Sequence, residues 1–235
     1  MPAAVHLRSA VALAGRFPAL SGVDLTVSAG EVVVVLGPNG AGKTSLLRTC
    51  AGLLPVTSGA AEVLGEDLRQ DPTHVRLRVG LLGHAAPLYD ELTAAENVRF
   101  AVRAAGLPTS RVDPALERLG IVGRLRRTPV ARLSAGQRRR VALAALVART
   151  PELWLLDEPH AGLDGATRRL LADLIAEAAG GGAAVLLSSH EPDLAVPLAD
   201  RAVTMTGGRV VDEQRGGRRP VLEAVPPSEE TAHVA

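Results

Sequence analysis

The stretch Gly37-Pro38-Asn39-Gly40-Ala41-Gly42-Lys43-Thr44 constrains this chain more than any other. It fits G-x-x-x-x-G-K-[ST], a loop whose glycines let successive backbone N–H groups point inward at phosphate oxygens. The apolar run Val32–Leu36 precedes it and a helical pattern from Ser45 follows, the strand–loop–helix setting that the motif requires. Lys43 is the only lysine of the chain; the other 25 basic residues are arginine. A compact ammonium on a flexible stem reaches between two phosphates where a planar guanidinium fork does not fit. Alone, the loop specifies a nucleoside triphosphate and leaves the reaction open.

The pattern around the loop predicts an α/β fold. Residues 5–13, 23–27 and 31–36 read as short strands, a small antiparallel sheet leading into a parallel core. Strands at 59–63 and 79–82 flank a polar stretch, 67–78, that is looped or partly helical. From 92 to about 149 the character is helical. Thr93 with Glu96 makes a capping box opening 94–105, Gly106 and Pro108 stop that helix, a second covers 114–119, and Ser134 caps a third over 135–149. A strand at 153–156, a helix at 166–179, a strand at 184–188 and a short helix after Pro192 resume the core. A hairpin of 202–205 and 209–212 follows, turning at Gly207-Gly208. The expected organisation is one domain over 1–213, a P-loop core with an antiparallel β portion and an inserted helical subdomain at about 92–149. Residues 214–235, rich in Gly, Pro, Glu and Arg, read as a disordered tail.

Composition excludes several classes. A net charge of +1 carries no strong pull toward nucleic acid or anionic lipid, and no nucleic-acid partner is expected. The clusters Arg138-Arg139-Arg140 and Arg218-Arg219 read as a solvated helix face and a tail. The single cysteine, Cys50, rules out an internal disulfide and reads as an inert buried residue. No run approaches the roughly eighteen apolar residues of a membrane span, and the N-terminus has no secretory pattern, so a membrane role is expected to run through a partner.

Two further stretches carry chemistry. In Leu153-Trp154-Leu155-Leu156-Asp157-Glu158, four apolar residues fit a strand buried on both faces. Asp157 then stands at its C-terminal end, where open α/β sheets bind ligands, placed to hold Mg²⁺ directly or through water; the Thr44 hydroxyl is the other expected ligand. Glu158 would face the γ-phosphate and take a proton from, or orient, an attacking water. The second stretch, Leu133-Ser134-Ala135-Gly136-Gln137, opens a long helix. A serine hydroxyl, a glycine and a helix N-terminus together suit an anion.

With these residues in register the chain resembles the ATP-binding subunits of ABC transporters over about residues 5–213. Leu133-Ser134-Ala135-Gly136-Gln137 matches the family's Leu-Ser-Gly-Gly-Gln signature with one glycine replaced by alanine. The resemblance implies an ABC-type ATPase that binds ATP and Mg²⁺, holding ATP on residues 37–44 and Ser45. It implies that the signature caps the γ-phosphate of ATP held by a second ATP-binding subunit, expected to be an identical copy. By the same resemblance Phe17 stacks on adenine, and Asp164, in Ala161-Gly162-Leu163-Asp164, couples the two sites. His190, in Ser188-Ser189-His190, contacts the γ-phosphate and positions Glu158. One position departs: where most family members carry a glutamine that senses Mg²⁺ and the attacking water, this chain has His84, whose imidazole titrates near neutral pH.

Within the family, Gly83-His84, the run from Leu92 to Phe100, the run from Arg139 to Ala144 and the Leu153-Trp154 strand start are similar to the haem-exporter subunits of cytochrome c maturation. Another exporter, of drug or lipid, is the alternative. A soluble ABC ATPase of translation or DNA repair fits less well, because those proteins fuse two cassettes or carry long insertions. The resemblance also implies a transmembrane permease subunit docking near His84–Tyr89, with Leu88 and Tyr89 as apolar contacts. That would place the chain in the cytoplasm, peripheral on the inner face of the cell membrane. The cargo is not written in these residues.

Overall fold

A computed structural model describes residues 3–83 and 87–217. Alternating apolar and polar residues make β1 (Ala3–Ala14) and β2 (Phe17–Ser28), which pair antiparallel with one face buried. Five consecutive buried aliphatic residues make β3 (Val32–Leu36). After it come α1 (Lys43–Cys50), β4 (Val56–Val63), the two-residue β5 (Glu66–Asp67), α2 (Thr73–Arg78) and β6 (Val79–Leu82). The polar stretch before β6 is thus partly helical, and the Asp71 carboxylate accepts the Thr73 N–H at 2.9 Å where that helix starts. A run of helices follows: α3 (Ala94–Ala104), α4 (Val112–Arg118), the short α5 (Gly123–Arg126) and α6 (Ala135–Arg149). The chain closes with β7 (Leu153–Asp157), α7 (Gly165–Gly180), β8 (Ala184–Ser188), α8 (Pro192–Ala195), β9 (Arg201–Thr206) and β10 (Arg209–Arg215). The last strand runs two residues into the stretch expected to be tail.

Two sheets result. One has the order β2-β1-β4-β5 and is antiparallel; the other has the order β10-β9-β3-β8-β7-β6, parallel except for β10. Strand alternation explains why the central strands read as unbroken apolar runs. Val33, Val35, Leu153, Leu155 and Leu186 pack toward α1 and the antiparallel sheet, while Val32, Val34, Leu156 and Leu187 pack toward the helices. Each central strand therefore feeds two cores, and neither face tolerates a polar side chain.

Parallel pairing also sets where the ends fall. Val35 of β3 lies opposite Ser188 of β8, and Ser188 lies opposite Asp157 of β7. The C-terminal ends of three neighbouring strands, with residues 37–44, 157–158 and 188–190, thus open on one edge of the sheet. Leu155, fully buried in the middle of this arrangement, is the position to probe it. Leu155→Ala is expected to lower the unfolding free energy by about 2–5 kcal/mol in urea titration, with the slope unchanged.

Candidate active site

The phosphate loop is wedged between two strands. Gly37 and Gly42 have φ of +143° and +103°, a region that side chains rarely adopt. Space is closed as well: a Cβ on Gly37 would stand 2.3 Å from the Met205 carbonyl of β9, and one on Gly42 2.7 Å from the Ala19 carbonyl of β2. The contact with β2 brings the start of that strand beside the loop. Phe17, two residues before Ala19, is 78% exposed and offers a free ring face. Pro38, Asn39 and Gly40 are exposed, Ala41 is buried and Ser45 is half-buried. Lys43 opens α1 and is only 7% exposed; its Nζ donates to the Gly37 carbonyl at 2.8 Å and the Pro38 carbonyl at 3.2 Å. The one lysine is thereby held over the loop it belongs to.

Asp157 ends β7 and is buried, with both carboxylate oxygens engaged. Oδ2 accepts from the Thr44 hydroxyl at 2.9 Å and Oδ1 from the Ser188 hydroxyl at 2.6 Å. The two expected Mg²⁺ ligands therefore touch. Ser188 was legible in the sequence only as a neighbour of His190; the signal for its role is a hydroxyl at the end of the strand paired with the one carrying Asp157. The next residue, Glu158, has φ +47°, a left-handed conformation costing a non-glycine residue about 1–3 kcal/mol. Its N–H is shared by the Ser188 carbonyl and hydroxyl, each at 3.2 Å. The strained turn aims the carboxylate at His190: Nδ1 stands 2.8 Å from Glu158 Oε2, and the His190 backbone N–H donates to the same oxygen at 3.3 Å.

The arginine cluster departs from expectation. Arg139 does not lie on a solvated face but is 8% exposed, pointing inward from α6. Its Nη1 donates to the Gly83 carbonyl at 2.5 Å, and its Nη2 to the Glu158 carbonyl at 3.1 Å and the Asp157 carbonyl at 3.3 Å. Burial pulls this guanidinium below the ordinary arginine range, and the Asp157 charge opposes that shift. The reason is spacing. Arg139 stands five residues after the cap Ser134, on the face of α6 that turns toward β7, where three carbonyls past the strand ends need a donor. Arg138 is half-buried and pairs with Asp90 at 2.9 Å.

The signature residues form the start of α6. The Ser134 hydroxyl accepts the Gln137 N–H at 3.2 Å and Gln137 Oε1 accepts the Ser134 N–H at 3.0 Å, a reciprocal capping box. Leu133 is buried beneath it, whereas Ser134 and Ala135 are exposed and Gly136 and Gln137 half-buried. Among the described residues no hydrogen bond joins 133–137 to the loop at 37–44. Asp164 caps α7 by accepting the Thr167 N–H at 2.7 Å, a bond that holds its carboxyl below the usual range. His84 lies outside the described residues. Beyond it, Leu81, Leu82, Pro87, Leu88, Tyr89 and Phe100 line part of a cavity of about 430 Å³ between β6 and the helices. Tyr89 meets Phe100 edge to face at 4.9 Å. The buried Asn97 braces the segment, accepting the Tyr89 N–H at 2.8 Å and donating to the Tyr89, Leu92 and Thr93 carbonyls.

Comparison with known proteins gives a consistent set. The sequence model described as ABC transporter matches residues 20–161. The cytochrome c biogenesis ATP-binding export protein CcmA of Bordetella bronchiseptica is 47% identical over 191 residues, which cover 79% of this chain and 84% of that protein. The daunorubicin resistance ATP-binding protein DrrA3 of Streptomyces coeruleorubidus is 42% identical over 203 residues, 85% of this chain; the match spans 64% of that protein's length. Among solved structures, the dimeric post-hydrolysis state of the ATP-binding cassette MJ0796 bound to ADP and Pi superposes with a TM-score of 0.83. The identity is 25%, and the match covers 92% of this chain and 99% of that chain.

The contrast between the two neighbouring arginines is measurable. Arg139→Met leaves three inward carbonyls short of a donor and is expected to cost about 1–3 kcal/mol of unfolding free energy. Arg138→Met removes a half-exposed ion pair and is expected to cost less than about 1 kcal/mol. Urea titration of both variants checks the difference.

Proposed function

The chain belongs to the ABC transporter family, as an ATP-hydrolysing subunit, and we propose that it powers an exporter by closing two nucleotide sites between two copies of itself. The observation that carries the ATP-hydrolysing part of this reading is the pair of contacts where the C-terminal ends of β3, β8 and β7 open together: Thr44 to Asp157 at 2.9 Å, and Glu158 to His190 at 2.8 Å. The first is a hydroxyl and a carboxylate side by side at the foot of a phosphate loop. The second is a carboxylate steadied on one oxygen, with the other left for a water.

In this reading the Phe17 ring stacks on adenine, and the loop amides of 37–44, with Ser45 in the first turn of α1, surround the phosphates. Lys43 turns its ammonium from the Gly37 and Pro38 carbonyls onto the β- and γ-phosphate oxygens. Thr44 and Asp157 offer two oxygen donors, and among the described residues no cluster of three or more His, Cys, Asp or Glu competes for a metal. That set suits Mg²⁺, which binds through one or two protein groups plus substrate phosphates and waters. When bound, the ion neutralises charge developing between the β- and γ-phosphates. His190 keeps Glu158 Oε2 occupied, so that Oε1 orients the water and takes its proton as it attacks the γ-phosphorus in line. Ser134 and Gly136 of the second copy cap the γ-phosphate, with Leu133, Ala135 and Gln137 shaping that end of α6, and Asp164 links one site to the other. The dimeric ADP- and Pi-bound cassette that this chain resembles supports the two-copy arrangement.

The cavity beside Leu88 and Tyr89 suits a short apolar helix from a transmembrane permease. Among the described residues no helix is long and apolar enough to cross a membrane. We place the chain in the cytoplasm, on the inner face of the cell membrane, held there by that permease. For the cargo, the match to CcmA over 84% of that protein supports the haem exporter of cytochrome c maturation. A drug exporter is the second reading, favoured by the 42% identity to DrrA3.

Glu158→Gln is expected to lower kcat by about 10²–10⁴-fold and to trap a dimer with ATP bound, read by single-turnover kinetics and size-exclusion chromatography. Full hydrolysis by a strict monomer would contradict the two-copy site. Leu88→Asp is expected to detach the membrane partner while leaving ATP binding intact, read by co-purification and nucleotide titration. Deletion of the gene separates the cargo readings: loss of c-type cytochromes supports haem export, and normal maturation with drug sensitivity supports the other.

A further inference from the structure

Buried side-chain polar atoms are rarely left without a partner. Among the described residues four are: Thr49 Oγ1, Arg139 Nε, His160 Nδ1 and Arg168 Nε. Three of them belong to one neighbourhood, because the His160 ring feels the charges of both arginines. His160 is 5% exposed and sits in the turn that joins Glu158 to Asp164. That turn is held by the Ala161 N–H donating to the Glu158 carbonyl and the Leu163 N–H donating to the His160 carbonyl, each at 3.2 Å. It also abuts the start of α6: a Cβ on Gly136 would stand 4.0 Å from the Gly162 carbonyl. None of the roles described above uses this imidazole.

We propose that His160 is a positioning residue for Glu158, a neutral wedge between α6 and α7 whose protonation releases the turn that aims the carboxylate. Four charges act on it through space: Arg168 on α7 and Arg139 on α6 disfavour a proton, and Glu191 after β8 and Glu158 at the end of β7 favour one. A proton on the ring adds a third cation beside two arginines and draws the ring toward Glu191 and Glu158. Glu158 already holds an unfavourable backbone conformation at φ +47°, so the turn is poised to relax when its packing is disturbed. The consequence is an acid-sensitive brake on hydrolysis.

The direction of the pH effect follows from the surroundings. Burial first, and then the Arg168 cation, hold the His160 pKa below the usual histidine value, against the pull of Glu191 and Glu158. The neutral ring is therefore the working form at and above neutral pH. Below about 6.5 the unfolded chain takes up a proton that the folded chain still refuses, so stability is full above that pH and falls as pH drops toward the lowered value.

The test uses the full chain with ¹³C-labelled histidine rings, titrated by NMR from about pH 8 to pH 5. Loss of one signal in His160→Asn and of another in His190→Ala assigns the two rings. His160 is expected to titrate below 6.5, and the ¹³C shift of the His190 ring, which touches Glu158, to report that same event. His160→Asn should abolish that response, and Arg168→Met, which removes the cation acting most strongly on the ring, should move it to higher pH. A His190 ring shift indifferent to His160→Asn, or a His160 that titrates at 6.5 or above, would overturn the proposal. If His160→Asn does not fold, the shift or its absence in Arg168→Met decides alone.

The kinetic consequence rests on the reading of Glu158 as the group that acts on water. The ratio of kcat at about pH 8 to kcat at about pH 6 is expected to be about threefold or more larger in the wild type than in His160→Asn, with KM for ATP unaffected by the acid step. Coupled ring titrations with a kcat that ignores them would uphold the positioning of Glu158 by His160 and overturn the role of Glu158 in hydrolysis.

Discussion

The carboxylate of Asp157 is the contact on which the rest of this site depends. It is buried at the end of a strand covered on both faces, and each of its oxygens accepts a hydroxyl, Thr44 from one side and Ser188 from the other. A buried carboxylate without such donors would be costly; with them it becomes a rivet through three strand ends. The phosphate loop after β3, the acid pair after β7 and the Ser-His segment after β8 are thereby locked to one another.

Around that rivet the fold stores unfavourable features and restrains them locally. Glu158 is left-handed although it is not glycine, and its N–H is clamped by Ser188. Arg139 is buried although it is charged, and it satisfies three carbonyls from Gly83, Asp157 and Glu158. Through Arg139, α6 is tied to the backbone of the turn that carries Glu158. A displacement of α6 would therefore be felt at Glu158 through two hydrogen bonds, without passing through the sheet.

The fold makes different demands at different positions. A cassette at 25% identity keeps the architecture over 92% of this chain, because layered strand packing needs only apolar residues of suitable size at alternating positions. The glycines of the loop have no such freedom, since both conformation and the Met205 and Ala19 carbonyls exclude a side chain.

Much was legible from the sequence by itself. Local rules wrote the loop, the capping boxes at Thr93 and Ser134, the unbroken apolar strands and the acid pair at 157–158, because each depends on residues within a few positions of one another. What only the tertiary structure decided were relations between distant segments. Arg139 read as one of three solvated arginines because its three partners lie 18 to 56 residues away, and helix periodicity does not reveal which face meets a carbonyl. Ser188 read only as a neighbour of His190 for the same reason: its hydroxyl becomes a donor to Asp157 only when parallel pairing sets β8 beside β7. Spacing along the chain determined which chemistry was present, and the register of three parallel strands determined that it met at one edge.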